Sequence, residues 1–132
     1  MKKKILIVMA DYYEAISKGL LHNTKKVLQE QFDLISVPGV FEIPVTIAKN
    51  IKKYDGFIAL GCVIKGETPH FDLISKAAID GIMKLSIEYK KPIGNGIITC
   101  LNLKQAIGRQ KKGQEAVAAL LSVLDPVKLS AE

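Results

Sequence analysis

The loop Lys65-Gly66-Glu67-Thr68-Pro69-His70 gathers the densest chemistry in the chain. It follows the apolar run Phe57–Ile64 and leads into a helical pattern. A glycine there permits close backbone approach, and the helix start aims free N–H groups past the strand end, which suits a phosphate. His70 falls in the first turn of that helix, beside such an anion. Imidazole, with an ordinary pKa of about 6.5, is the side chain best matched to moving protons at neutral pH. From position alone, a solvated histidine in an exposed first turn is an equally open reading. His22, mid-helix and far from any loop, reads as structural or solvated.

Three other stretches invite a chemical reading. Glu42 follows Pro38-Gly39-Val40-Phe41 and can accept hydrogen bonds from a polyhydroxy ligand, with Phe41 and open backbone groups forming a floor. Its plainer role is a carboxylate facing the positive end of a helix. Tyr12 and Tyr13 follow the first strand, where an aromatic ring can stack on a planar heterocycle. Cys62 lies inside an apolar strand and reads as a small buried hydrophobe; Cys100 has no adjacent base to make it a nucleophile.

These residues need a scaffold, and the pattern supplies one. Ile5–Ala10, Phe32–Val37, Phe57–Ile64 and Ile93–Cys100 are short branched or apolar runs that predict strands. Helical spacing predicts helices over Glu14–Gln31, Pro44–Tyr54, Pro69–Lys91, Asn102–Gln110 and Gln114–Leu124, with Thr68 as a cap and Pro44 and Pro69 at first helical positions. Strand and helix alternate four times, the signature of a parallel sheet covered on both faces. One α/β domain of doubly wound type, spanning residues 1–132, is expected. In such a fold ligands lie beyond the carboxyl ends of the strands, where all the loops above converge.

Composition removes competing classes. The 132 residues carry 19 basic and 13 acidic side chains, a net charge of +6, yet 18 of the basic residues are lysine and Arg109 is the single arginine. Scattered lysines without arginine clusters or interleaved aromatics do not describe a nucleic-acid binder. A zinc site built from Cys and His would need nearly all of the two histidines and two cysteines, at spacings no finger uses, so no metal and no cofactor are expected. Neither a dinucleotide fingerprint nor a P-loop is present, since Gly66 is not followed by Gly-Lys-Ser/Thr. The apolar run after Lys2-Lys3-Lys4 stops at Asp11, too short for a signal peptide or a membrane span. Two cysteines 38 positions apart suggest no disulfide framework and point to the cytoplasm.

Taken together, Val37-Pro38-Gly39-Val40-Phe41-Glu42-Ile43-Pro44 and Gly61-Cys62-Val63-Ile64-Lys65-Gly66-Glu67-Thr68-Pro69-His70-Phe71-Asp72 closely resemble the lumazine synthase family. Pro92-Ile93-Gly94-Asn95-Gly96-Ile97-Ile98-Thr99 and Gln105-Ala106-Ile107-Gly108-Arg109 extend the resemblance over nearly the whole chain. It implies a three-layer α/β/α, flavodoxin-like fold with a four-stranded parallel sheet. It implies a transferase of riboflavin biosynthesis that condenses 5-amino-6-(D-ribitylamino)uracil with 3,4-dihydroxy-2-butanone 4-phosphate. An archaeal-type riboflavin synthase and a non-catalytic flavin-binding assembly module are the alternatives.

By position, the resemblance puts Tyr12 where an aromatic stacks on the pyrimidine and Val40, Phe41 and Glu42 along the ribityl chain. Cys62, Val63 and Ile64 take the strand edge that reads the pyrimidine, and Glu67 and Thr68 the phosphate loop. His70 takes the proton-transfer position, while Arg109 and Asn95 come from the neighbouring subunit, Arg109 to bind phosphate. Lys112 is a candidate second basic group there. Asp11 stands where many relatives have arginine, Tyr12 is a less usual stacker than Phe or Trp, and Asn95 replaces a frequent Phe. Against the family's pattern, the shorter loop Gln110-Lys111-Lys112-Gly113 and the mere four residues before the first strand imply a pentamer or decamer instead of a sixty-subunit shell.

Overall fold

In the computed structural model, which describes residues 2–130, the four apolar runs form strands β1 (Lys4–Ala10), β2 (Gln31–Val37), β3 (Gly56–Ile64) and β4 (Ile93–Cys100). Every pairing is parallel, and the order across the sheet is β2-β1-β3-β4. Parallel neighbours require crossovers, and helices supply them: α1 (Glu14–Val27), α2 (Ile43–Asn50) and α3 (His70–Tyr89). Two further helices, α4 (Leu103–Gly108) and α5 (Lys112–Leu124), follow β4.

Alternation of side chains along the strands divides the core into two layers. Ile5, Ile7 and Met9 of β1 join Ile58, Leu60 and Cys62 of β3 under α1, α4 and α5. Leu6, Val8 and Ala10 join Phe57, Ala59 and Val63 under α2 and α3. Both faces of the central strands are therefore covered, which is why they read as unbroken apolar runs. The expected three-layer α/β/α, flavodoxin-like architecture is what forms.

Several boundaries differ from the spacing-based expectation. The first helix ends at Val27, not Gln31: Leu28 is extended (φ −82°, ψ 116°), and Gln31 already pairs with Lys4 as the first residue of β2. Sheet pairing overrides a helical pattern that the side chains alone permit. A 3₁₀ turn, Val40–Glu42, precedes α2, which starts at Ile43 and stops at Asn50 short of Tyr54. Pro69, not Thr68, occupies the cap of α3; the Thr68 hydroxyl only reaches the His70 N–H at 3.4 Å. Asn102 does cap α4, its Oδ1 accepting the Gln105 N–H at 2.9 Å. α5 begins two residues early, at Lys112, leaving a three-residue turn after α4.

Candidate active site

From β1 the sheet grows outward to β2 on one side and to β3 on the other, so chain leaving the two inner strands diverges and opens a crevice. A cavity of about 440 Å³ lies there. Tyr12 and Tyr13 wall it from the end of β1, and Gly39, Val40, Phe41 and Glu42 from the turn after β2. Cys62, Val63 and Ile64 of β3 form its back, with His70 and Ile74 entering from α3. Eight of the residues expected at a site thus meet in one place.

Local chemistry holds these walls. The Asp11 N–H donates to the Val37 carbonyl at 2.9 Å, and the Ser36 hydroxyl donates to Asp11 Oδ2 at 2.8 Å, tying together the loops after β1 and β2. Ser17 anchors the start of α1 by donating its hydroxyl to the Ala10 carbonyl. The Gly39 N–H donates to Glu42 Oε1 at 3.0 Å, so this carboxylate locks its own turn while facing the cavity. Val40 is buried against β3 because Gly61 has no side chain: a Cβ there would stand 2.6 Å from Val40 Cγ1.

Cys62 is buried in β3 where it lines the cavity. Burial, with Cys100 beside it, pushes its thiol up to about 12, so the nucleophilic thiolate is absent at neutral pH. Alkylation of Cys62 by iodoacetamide is expected to be slow in the native protein even at about pH 9 and fast after denaturation. Mass mapping of the alkylated peptide measures this; rapid native labelling would contradict a protonated, buried thiol.

The remaining expected residues lie elsewhere. Glu67 and Thr68 are exposed on the loop before His70 and do not line the cavity. Asn95 is half-buried on β4, its Oδ1 accepting the Ile97 N–H at 3.0 Å. Arg109 borders a separate depression of about 390 Å³ with Thr99, Lys111, Lys112 and Glu115. The two depressions share no residue. Lys112 there is partly engaged, its Nζ 3.9 Å from Glu115 Oε1.

Sequence reasoning left Tyr13, Gly39 and Ile74 out of the site. Tyr13 was legible only as one of two candidate stackers; Ile74 carries a usable signal, four positions after His70 and so on the same helix face. Among the described residues no group of three His, Cys, Asp or Glu side chains is placed to hold a metal ion, and no helix is long and apolar enough to cross a membrane.

A mostly apolar cavity at the switch point of a parallel sheet, with a histidine and a carboxylate at its rim, defines a flavodoxin-like α/β enzyme acting on a small molecule. The sequence profile of the 6,7-dimethyl-8-ribityllumazine synthase family matches residues 2–128. A 6,7-dimethyl-8-ribityllumazine synthase from Bartonella bacilliformis is 44% identical over 84% of this chain and 78% of its own. Those of Bartonella tribocorum and Agrobacterium fabrum are 42% and 40% identical, covering 94% of this chain in both cases and 91% and 94% of their own. The chain belongs to the 6,7-dimethyl-8-ribityllumazine synthase family.

Proposed function

We propose that the protein makes 6,7-dimethyl-8-ribityllumazine from 5-amino-6-(D-ribitylamino)uracil and 3,4-dihydroxy-2-butanone 4-phosphate, a step of riboflavin biosynthesis. The observation that carries this is the meeting of Tyr12, Glu42 and His70 around one switch-point cavity in a chain of this family. Tyr12 stacks on the pyrimidine against the wall of Cys62, Val63 and Ile64. Val40, Phe41 and Glu42 hold the ribityl chain, with Glu42 accepting from its hydroxyls. Glu67, Thr68 and the first N–H groups of α3 receive the phosphate, and His70 beside them moves protons.

The amine attacks the ketone and a Schiff base forms with loss of water. Inorganic phosphate is then eliminated, and the ring closes with loss of a second water. Each step moves protons as bonds form and break between groups that the cavity holds in register, so positioning supplies a large share of the rate. Replacing His70 with alanine is accordingly expected to lower kcat by about a hundredfold, the low end of what a positioned acid–base group contributes, with assembly intact. Wild-type turnover in that variant would remove His70 from the chemistry.

Arg109 and Asn95 complete the site of a neighbouring copy. Support comes from their placement, Asn95 on β4 and Arg109 after it, away from their own cavity, and from two exposed apolar groups of side chains. Tyr12 and Phe41 are exposed at the cavity and Val45 on α2, while Leu101, Leu103 and Ile107 are exposed in the segment that precedes Arg109. A contact between two different patches is head-to-tail, the kind that generates a ring when the rotation between copies closes. The assembly we propose is a pentamer or a face-to-face decamer. Sedimentation equilibrium yielding the mass of five or ten chains supports it, and the mass of sixty chains overturns it. The protein works in the cytoplasm, consistent with its two free cysteines and a biosynthetic family.

Mixing both substrates with purified protein and following the absorbance of the lumazine tests the activity. Riboflavin formed from the lumazine alone would favour a riboflavin synthase instead.

A further inference from the structure

Tyr12 is an exposed ring on a loop, with 75% of its surface open and no side-chain hydrogen bond among the described residues. A stacking platform needs a fixed plane, because a freely turning ring must be ordered at each binding event. Tyr13 is the group in contact with it that is itself held. The Tyr13 carbonyl accepts the Ser17 N–H at 2.9 Å as the cap of α1, and its half-buried ring packs on the core layer under α1 and α5. The two rings stand nearly perpendicular, 79° apart in plane, with centroids 4.9 Å from one another. This edge-to-face geometry is the one that aromatic quadrupoles prefer. Whichever ring supplies the edge, at least one face of Tyr12 stays open.

We infer that Tyr13 is a positioning residue for the pyrimidine: its ring, anchored to α1 and the core, sets the plane of Tyr12 on which the heterocycle stacks. This rests on the reading of Tyr12 as the stacking residue. Tyr13 also lines the cavity beside Cys62, and burial, with Tyr12 and Cys62 close by, raises its phenol above the ordinary range. It is therefore a neutral, aromatic wall at working pH. The device acts through ring against ring, so it needs the aromatic ring of Tyr13 and not its hydroxyl.

Steady-state kinetics with each substrate varied in turn test this in the assembled protein. Tyr13→Leu and Tyr13→Met are expected to raise KM for the pyrimidine about three- to tenfold, the range that an edge-to-face pair commands. KM for the butanone phosphate should move much less, and Tyr13→Phe should restore most of the lost pyrimidine affinity. Equal rises for both substrates, or Tyr13→Phe as poor as Tyr13→Leu, overturn the inference. Using two apolar replacements guards against one that fails to fold, which circular dichroism and sedimentation detect. Tyr12→Ala separates the two levels of the argument. If it leaves pyrimidine KM at the wild-type value, the stacking reading itself fails. If it raises that KM while both apolar Tyr13 variants do not, only the positioning role fails.

Discussion

Replacing Arg109 with lysine is expected to raise KM for the butanone phosphate by about tenfold to two-hundredfold while changing pyrimidine KM little. The guanidinium presents a planar fork that makes two aligned, charge-assisted bonds to a phosphate, and an ammonium cannot reproduce that pairing. A hydrogen bond to a charged group contributes about 1.5–3 kcal/mol, which sets the size of the loss. Lys111 and Lys112 border the same depression and keep the local field positive, so charge alone does not rescue the variant. Initial-rate kinetics with the phosphate substrate varied are the measurement. Wild-type values would place Arg109 outside the site.

Because Arg109 sits apart from the cavity in its own chain, the same residue also reports on the assembly. A chain bearing Arg109→Ala retains its cavity, and one bearing Tyr12→Ala with His70→Ala retains its arginine. Mixed in equal amounts in one ring, about one site in four draws intact residues from both neighbours. Activity in the mixture well above that of either variant alone is the expected outcome. Its absence would mean that each chain completes its own site.

The two inner strands were legible because burial on both faces leaves no alternation to misread: Ile5–Ala10 is apolar throughout and buried throughout. The end of α1 was not legible. Leu28 fits the helical spacing, and only the need for Gln31 to pair with Lys4 turns the chain there. The site followed a similar division. Tyr12, Glu42 and His70 come directly after strands or open a helix, where the fold class alone predicts convergence. The Glu42 contact with Gly39 is a three-residue back-reach that no spacing rule separates from a helix-facing carboxylate. Tyr13 lines the cavity by virtue of how the start of α1 leans on the sheet, which is a tertiary fact, whereas Ile74 was signalled by its place one turn after His70. The separation of Arg109 from the cavity is likewise invisible in sequence order, since it depends on β4 lying outermost.

That outermost strand is held by a close approach, and Gly94→Ala is expected to disrupt it. Gly94 pairs with Ile58 of β3 and lies under α5. A Cβ at this position would stand 2.2 Å from the Ala116 carbonyl oxygen and 3.0 Å from its carbon. These are backbone atoms, so no rotamer change relieves the clash and α5 itself must move. Overpacking of this kind costs about 1–3 kcal/mol. Displacing α5 also shifts Lys112 at its first turn and the Arg109 turn before it, so the loss should extend to function. Thermal unfolding should show a lower midpoint, and KM should rise more for the butanone phosphate than for the pyrimidine. Gly66→Ala provides the contrast in stability, because a Cβ there meets nothing within 4 Å. Equal midpoints for the two variants would mean that α5 and β4 are packed loosely enough to absorb a methyl group, and the phosphate side of the site would then owe nothing to this contact.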